Sequence, residues 1–92
     1  MHETRLALKA HVIVERESDG DDIVLIDSRS GRMSACNETA SAVIVQLQKG
    51  TTIARLVEEL VKRYSVADDV ATRDVNALLD MLAADGSLET AD

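Results

Sequence analysis

Phenylalanine and tryptophan are absent from this 92-residue chain, and Tyr64 is its one aromatic residue. A core without Phe or Trp must be packed from Leu, Val, Ile and Ala, and a chain of this length covers about 60–65% of its unfolded surface. That is enough for one domain with a modest core, and leaves little room for a built-in catalytic cleft. Cysteine occurs once, at Cys36, which excludes an internal disulfide and a thiolate metal cluster and fits a reducing compartment. Lys and Arg are few beside Asp and Glu, 10 against 17, for a formal net charge of -7. A partner held through phosphates needs the opposite balance, so nucleic acid is not expected. Nor is a membrane, because no apolar run approaches a bilayer's thickness and the N-terminus lacks a basic segment followed by an apolar one. The expected location is the cytoplasm. His2 and His11 are the only histidines, and neither has a second ligand at i+3 or i+4 of a predicted helix. No metal or other cofactor is expected.

What is present divides at residues 28–39, Ser-Arg-Ser-Gly-Arg-Met-Ser-Ala-Cys-Asn-Glu-Thr, with strand patterns before and helix patterns after. Residues 1–10 have no clear period and read as a flexible arm. In residues 11–16, Val12 and Val14 alternate with Ile13, until Ser18, Asp19, Gly20, Asp21 and Asp22 break the run with turn chemistry. Residues 23–26 are apolar throughout and read as the central strand of a small sheet. Gly31 supplies the positive φ of a second tight connection, so residues 32–36 close an antiparallel meander as its third strand. Alternation puts Met33 and Ala35 on one face and Arg32, Ser34 and Cys36 on the other.

From Asn37, a strong helix N-cap, the period becomes helical. Ala40, Val43, Ile44 and Leu47 form a first stripe that ends at Gly50. Thr51 or Thr52 caps a second helix with Ile53, Leu56, Val57, Leu60 and Tyr64 on one side, and with Glu58/Lys62 and Glu59/Arg63 paired on the other. A third helix, from Asp68 and Asp69 to about Ala84, carries Ala71, Val75, Leu78, Leu79 and Leu82 toward the core. Val70, Asp74, Ala77 and Met81 form a second, partly apolar stripe beside them. The fold class is α+β: a three-stranded antiparallel sheet followed by a three-helix, winged-helix-like bundle. The boundaries are an arm at 1–10 and one domain at 11–89.

Catalytic readings fail on spacing. Cys36 precedes a helix N-terminus that would favour a thiolate, but no base is in view, and a small buried filler is the simpler role. Asp74 and Asp80 lie on different helix faces. Asp19, Asp21 and Asp22 lack the later ligands of a calcium loop. The second and third helices resemble a helix-turn-helix, but the would-be recognition helix sets Asp68, Asp69, Asp74, Asp80 and Asp85 against Arg73 alone, a surface that repels phosphate. An acidic winged-helix-like regulator working through protein contacts remains the alternative function. The leading one is association: the third strand is an edge whose unpaired amides and carbonyls can accept a guest strand. Met81, Ala77 and Val70 would flank that guest in a shallow groove. Equally, Met81 and Val70 could pack under the N-terminal arm or form a homodimer seam, and spacing leaves these readings level.

Four segments in order, Leu25-Ile26-Asp27-Ser28-Arg29-Ser30-Gly31-Arg32, Asn37-Glu38-Thr39-Ala40, Leu56-Val57-Glu58-Glu59-Leu60 with Tyr64, and Asp74-Val75-Asn76-Ala77-Leu78-Leu79 to Gly86, resemble the PqqD-like family. The resemblance implies a peptide-recognition element of ribosomally made, modified peptide (RiPP) pathways, without catalysis of its own. It implies that the precursor's leader peptide binds as an added strand on the third strand, flanked by the third helix. The precursor is thereby presented to a tailoring enzyme: a radical-SAM protein, a peptidase or a cyclase. The binding positions then fall at Arg32, Met33, Ser34 and Ala35 on the strand and at Asp74, Ala77, Leu78 and Met81 on the helix. The pathway implied is lasso-peptide, pyrroloquinoline quinone or related biosynthesis. Met33, Ser34 and Cys36 stand where family members commonly carry aromatic residues and Leu, which implies a thinner groove. An exposed edge of this kind also implies a weak homodimer.

Overall fold

The computed structural model describes residues 3–16 and 22–91 of the chain. The order is β1 (Arg5–Leu8), β2 (Val12–Arg16), β3 (Ile23–Asp27), β4 (Met33–Cys36), α1 (Glu38–Lys49), α2 (Ile53–Tyr64), α3 (Asp68–Ala84) and β5 (Leu88–Ala91). Strands β2, β3 and β4 form an antiparallel sheet in that spatial order, with the apolar β3 in the centre. The expected meander is present, as are the three helices.

Side-chain alternation sets which sheet face meets the helices. Ile23 is fully buried and Val14 and Leu25 pack against the same core, while Ile13 and Met33 on the opposite face are exposed. The register places Cys36 across from Ile23, so Cys36 shares the buried face, as expected. Beneath it Ser41 of α1 is buried, and its hydroxyl accepts from the Ile23 amide (3.2 Å) and donates to the Cys36 carbonyl (3.5 Å). One hydroxyl thus ties the start of β3 and the end of β4 to the helix below.

Helix ends follow local chemistry. Asn37 accepts from the Ala40 amide at 2.8 Å, and Thr52 from that of Arg55 at 3.2 Å. Gly50, with φ of 87°, ends α1 as expected. Helix α2 ends instead on Ser65, a non-glycine residue at φ of 54°. Val43, Ile44 and Leu47 of α1, Leu56 and Leu60 of α2, and Ala71, Val75, Leu79 and Leu82 of α3 are buried together. Ile53, expected on the core stripe of α2, is exposed, because it sits in the first turn of the helix.

Of the flexible arm expected over residues 1–10, the part from residue 5 to residue 8 is instead a strand. Arg5–Leu8 forms β1, paired antiparallel with β5 at the other end of the chain. Leu6 is 4% exposed, and it exchanges two backbone hydrogen bonds with Thr51, at 2.7 and 2.8 Å. Apolar burial and backbone pairing together order this segment, and its partner lies too far along the chain for a local pattern to reveal. The folded unit correspondingly runs past residue 89 to the end of β5. His2 and the turn expected at Ser18, Asp19, Gly20 and Asp21 lie outside the described residues.

Candidate functional site

The site is built on β4, and its first element is the turn that precedes it. Asp27 Oδ1 accepts the amides of Arg29 (2.8 Å) and Ser30 (3.4 Å), and Gly31, at φ of 77°, donates its own amide to the Asp27 carbonyl at 2.7 Å. The Arg29 amide above all holds the Asp27 carboxyl below its ordinary range, against partial desolvation. The Asp27 amide then donates to the Arg32 carbonyl at 2.9 Å, which phases the ladder. In an antiparallel pair, alternate residues turn their backbone groups toward the partner. Arg32, Ser34 and Cys36 therefore face β3, and the N–H and C=O groups of Met33 and Ala35 point outward from the edge. No other strand pairs there among the described residues.

Helix α3 runs past the inner face of the sheet in the direction opposite to β4, with one hollow between it and the sheet and another between it, α1 and the Asn37 cap that follows β4. At the far end of β4, a hollow of about 360 Å³ is floored by Ala40 and Val43 of α1 and Leu60 of α2, and walled by Asp74, Ala77, Leu78 and Met81. At the turn end, one of about 260 Å³ lies between Leu25 and Ser34 of the sheet and Leu82 and Asp85 of α3. Arg32 reaches across its mouth to Asp85 at 3.8 Å. Met81 is 61% exposed although it sits beside the core, and the N-terminal strand pairs with β5 and Thr51 instead of covering it.

The four helix positions expected at the site are thus brought together around one hollow. The four strand positions divide. Arg32 and Ser34 send side chains toward the turn-end hollow, while Met33 and Ala35 offer backbone groups and place their side chains on the outer sheet face. Val70 is half-buried and lies outside both hollows. Ala40, Val43 and Leu60, which the helical period assigns to the core, also form the floor, Ala40 half-buried and the other two buried. Asp85 was read only as part of the acidic face of α3. A wider hollow of about 590 Å³ over Ile53, Val57 and Val61 is lined by helices alone and has no backbone to offer.

Cys36 is buried, and both desolvation and the charge of Asp22 raise its thiol pKa, the reverse of what a nucleophile requires. Among the described residues no group of His, Cys, Asp and Glu could hold a metal ion, and no helix is long and apolar enough to cross a membrane. Asp68, Asp69, Asp74 and Asp80 of α3 and Asp85 at its C-cap are all exposed.

The family model described as Coenzyme PQQ synthesis protein D (PqqD) matches residues 22–88. Among solved structures, "Lasso peptide synthetase B1 complexed with the leader peptide" is 30% identical, with a TM-score of 0.79 over 91% of this chain and 96% of that one. "TbiB1 in Complex with the TbiA(beta) Leader Peptide" shares the fold at a TM-score of 0.81 and 23% identity, over 90% of this chain and 94% of the other. No curated protein matches the chain. The match from β3 and β4 through all three helices places this chain in the PqqD family.

Proposed function

We propose that this protein binds the leader segment of a ribosomally made precursor peptide as a fourth strand on β4, with α3 at its side. It then presents the precursor to a separate tailoring enzyme: a peptidase, a cyclase or a radical-SAM protein. The observation that carries this reading is the unpaired edge of β4, with Met33 and Ala35 turned outward, and an apolar hollow that begins at Asn37 where the strand ends. The solved relative at 30% identity is described as complexed with a leader peptide, which supports the same ligand class here and favours a lasso-type pathway.

Magnitudes show why the edge and the groove must act together. Two outward residues offer four hydrogen-bonding groups, and at about 0.5–1.5 kcal/mol net each they supply about 2–6 kcal/mol. Micromolar affinity requires about 8 kcal/mol. One bulky apolar side chain buried in the hollow adds about 1.5–3 kcal/mol, and because association itself costs free energy, a guest needs the edge and more than one apolar anchor together. In this role the protein acts by binding alone, in the cytoplasm where precursor peptides are made.

The test is a backbone amide titration by NMR with a synthetic leader from the short precursor gene beside this one. Shifts should concentrate at Met33–Cys36 and along α3 from Asp74 to Asp85. Shifts confined to the hollow over Val57 and Val61, or none at saturating peptide, would overturn the proposal. The same edge can pair with a second copy at high concentration, and the leader should then dissociate that weak dimer in sedimentation experiments.

A further inference from the structure

The groove-facing stripe of α3 reads Asp74, then Ala77 and Leu78, then Met81, then Asp85. Carboxylates stand at both ends and apolar side chains between them. At 100° per residue all five fall within about 60° of one line along the helix. Asp74 and Asp85 are about three turns apart, or roughly 16 Å. Asp74 has no ion-pair partner among the described residues, whereas Asp85 already holds a cation from the opposite wall, Arg32 at 3.8 Å.

A guest strand on β4 presents every second side chain to this stripe, at about 6.7 Å intervals. Three successive inward positions span about 13 Å, and long cationic side chains cover the difference at either end. We infer that the groove selects a cation-x-apolar-x-cation pattern: Lys or Arg facing Asp74, a bulky apolar residue facing Met81, and Lys or Arg facing Asp85. This rests on the strand-addition reading above. The pattern is symmetric, so it holds for a guest running in either direction. Arg32 occupies the Asp85 position when no guest is bound and must yield it to the incoming cation. The protein's net charge of -7 draws such a guest in and disfavours acidic competitors.

The experiment is selection of a random dodecapeptide display library on the intact protein at 0.15 M salt. Enriched peptides should carry paired basic residues four apart around a central apolar one. Replacing either cation by Gln should weaken binding about two- to fivefold at these exposed sites. Asp74→Asn and Asp85→Asn should each remove one preference, and Asp74→Lys/Asp85→Lys should invert both toward acidic peptides. Arg32→Ser should tighten binding of the cationic peptides by removing the resident competitor. Enriched peptides that perturb the Met33 and Ala35 amides but show no basic preference would overturn this inference and leave strand addition standing. If no enriched peptide perturbs those amides, strand addition falls and the inference falls with it.

Discussion

Strands β1 and β4 are both four residues long, and they have opposite surroundings. Strand β1 is paired along one side with β5 and bridged on the other by Thr51, and its Leu6 reaches the core. Strand β4 has β3 on one side and nothing on the other among the described residues, and its Met33 is 65% exposed. Composition explains the contrast. Arg-Leu-Ala-Leu alternates two large apolar side chains onto one face, so docking that face stabilises the strand wherever a partner backbone is found. Met-Ser-Ala-Cys has only Cys36 to bury and depends on its turn and its cap for position. Short strands can thus close a fold or keep a surface open, according to what their inward face can bury.

The most severe way to break the comparison is Leu6→Ala, which should cost about 2–5 kcal/mol by deleting a buried side chain, read from urea unfolding midpoints. Peptide affinity of the fraction that remains folded should be unchanged. Proline substitutions then sharpen the account of β4. Ser34→Pro removes an amide turned toward β3 and should cost about 1–3 kcal/mol of stability. Met33→Pro removes an outward amide, so it should leave stability nearly unchanged while weakening leader binding about two- to tenfold. Equal stability losses from the two prolines would contradict the assigned phase of the ladder.

A smaller effect concerns the turn that holds β4. The native carboxyl of Asp27 is depressed, chiefly by the Arg29 amide. Its stabilisation is therefore complete above the ordinary value of 3.8 and is lost as pH falls through the lower native value. Asp27→Asn should flatten the acid limb of stability measured below that pH. The smallest change is kinetic: Cys36 should alkylate slowly at neutral pH, with a midpoint above that of a free thiol, because burial and Asp22 disfavour the thiolate. Rapid alkylation of folded protein would mean that the closed end of β4 frays.

Local periods carried most of the fold. Val12, Val14 and the apolar run at 23–26 declare strands, and Asn37, Thr52 and Gly50 mark helix ends where the structure has them. Strand β1 escaped because its two leucines could belong to any short element, and its partners, Thr51 and β5, are remote in sequence. At the site, the second stripe on α3 was legible because Asp74, Ala77 and Met81 exceed what packing needs. The Arg32–Asp85 pair was not, since nothing local links a turn residue to a helix end brought beside it only by the tertiary fold. Family resemblance supplies the expected strand positions, and the register divides them into outward backbone groups, at Met33 and Ala35, and side chains that line the turn-end hollow, at Arg32 and Ser34.

Ser41 clamps one end of the β3–β4 hairpin and the Asp27 turn clamps the other, so the free edge between them is a fixed template with little ordering left to do. The consequence is one of timing. At an affinity of about 1 μM and an ordinary association constant of about 10⁵–10⁷ M⁻¹ s⁻¹, a leader bound there would depart at about 0.1–10 s⁻¹. Were the leader to dock on this edge as proposed, the template would fill rapidly and empty within about ten seconds, and one copy of the protein would serve many precursors.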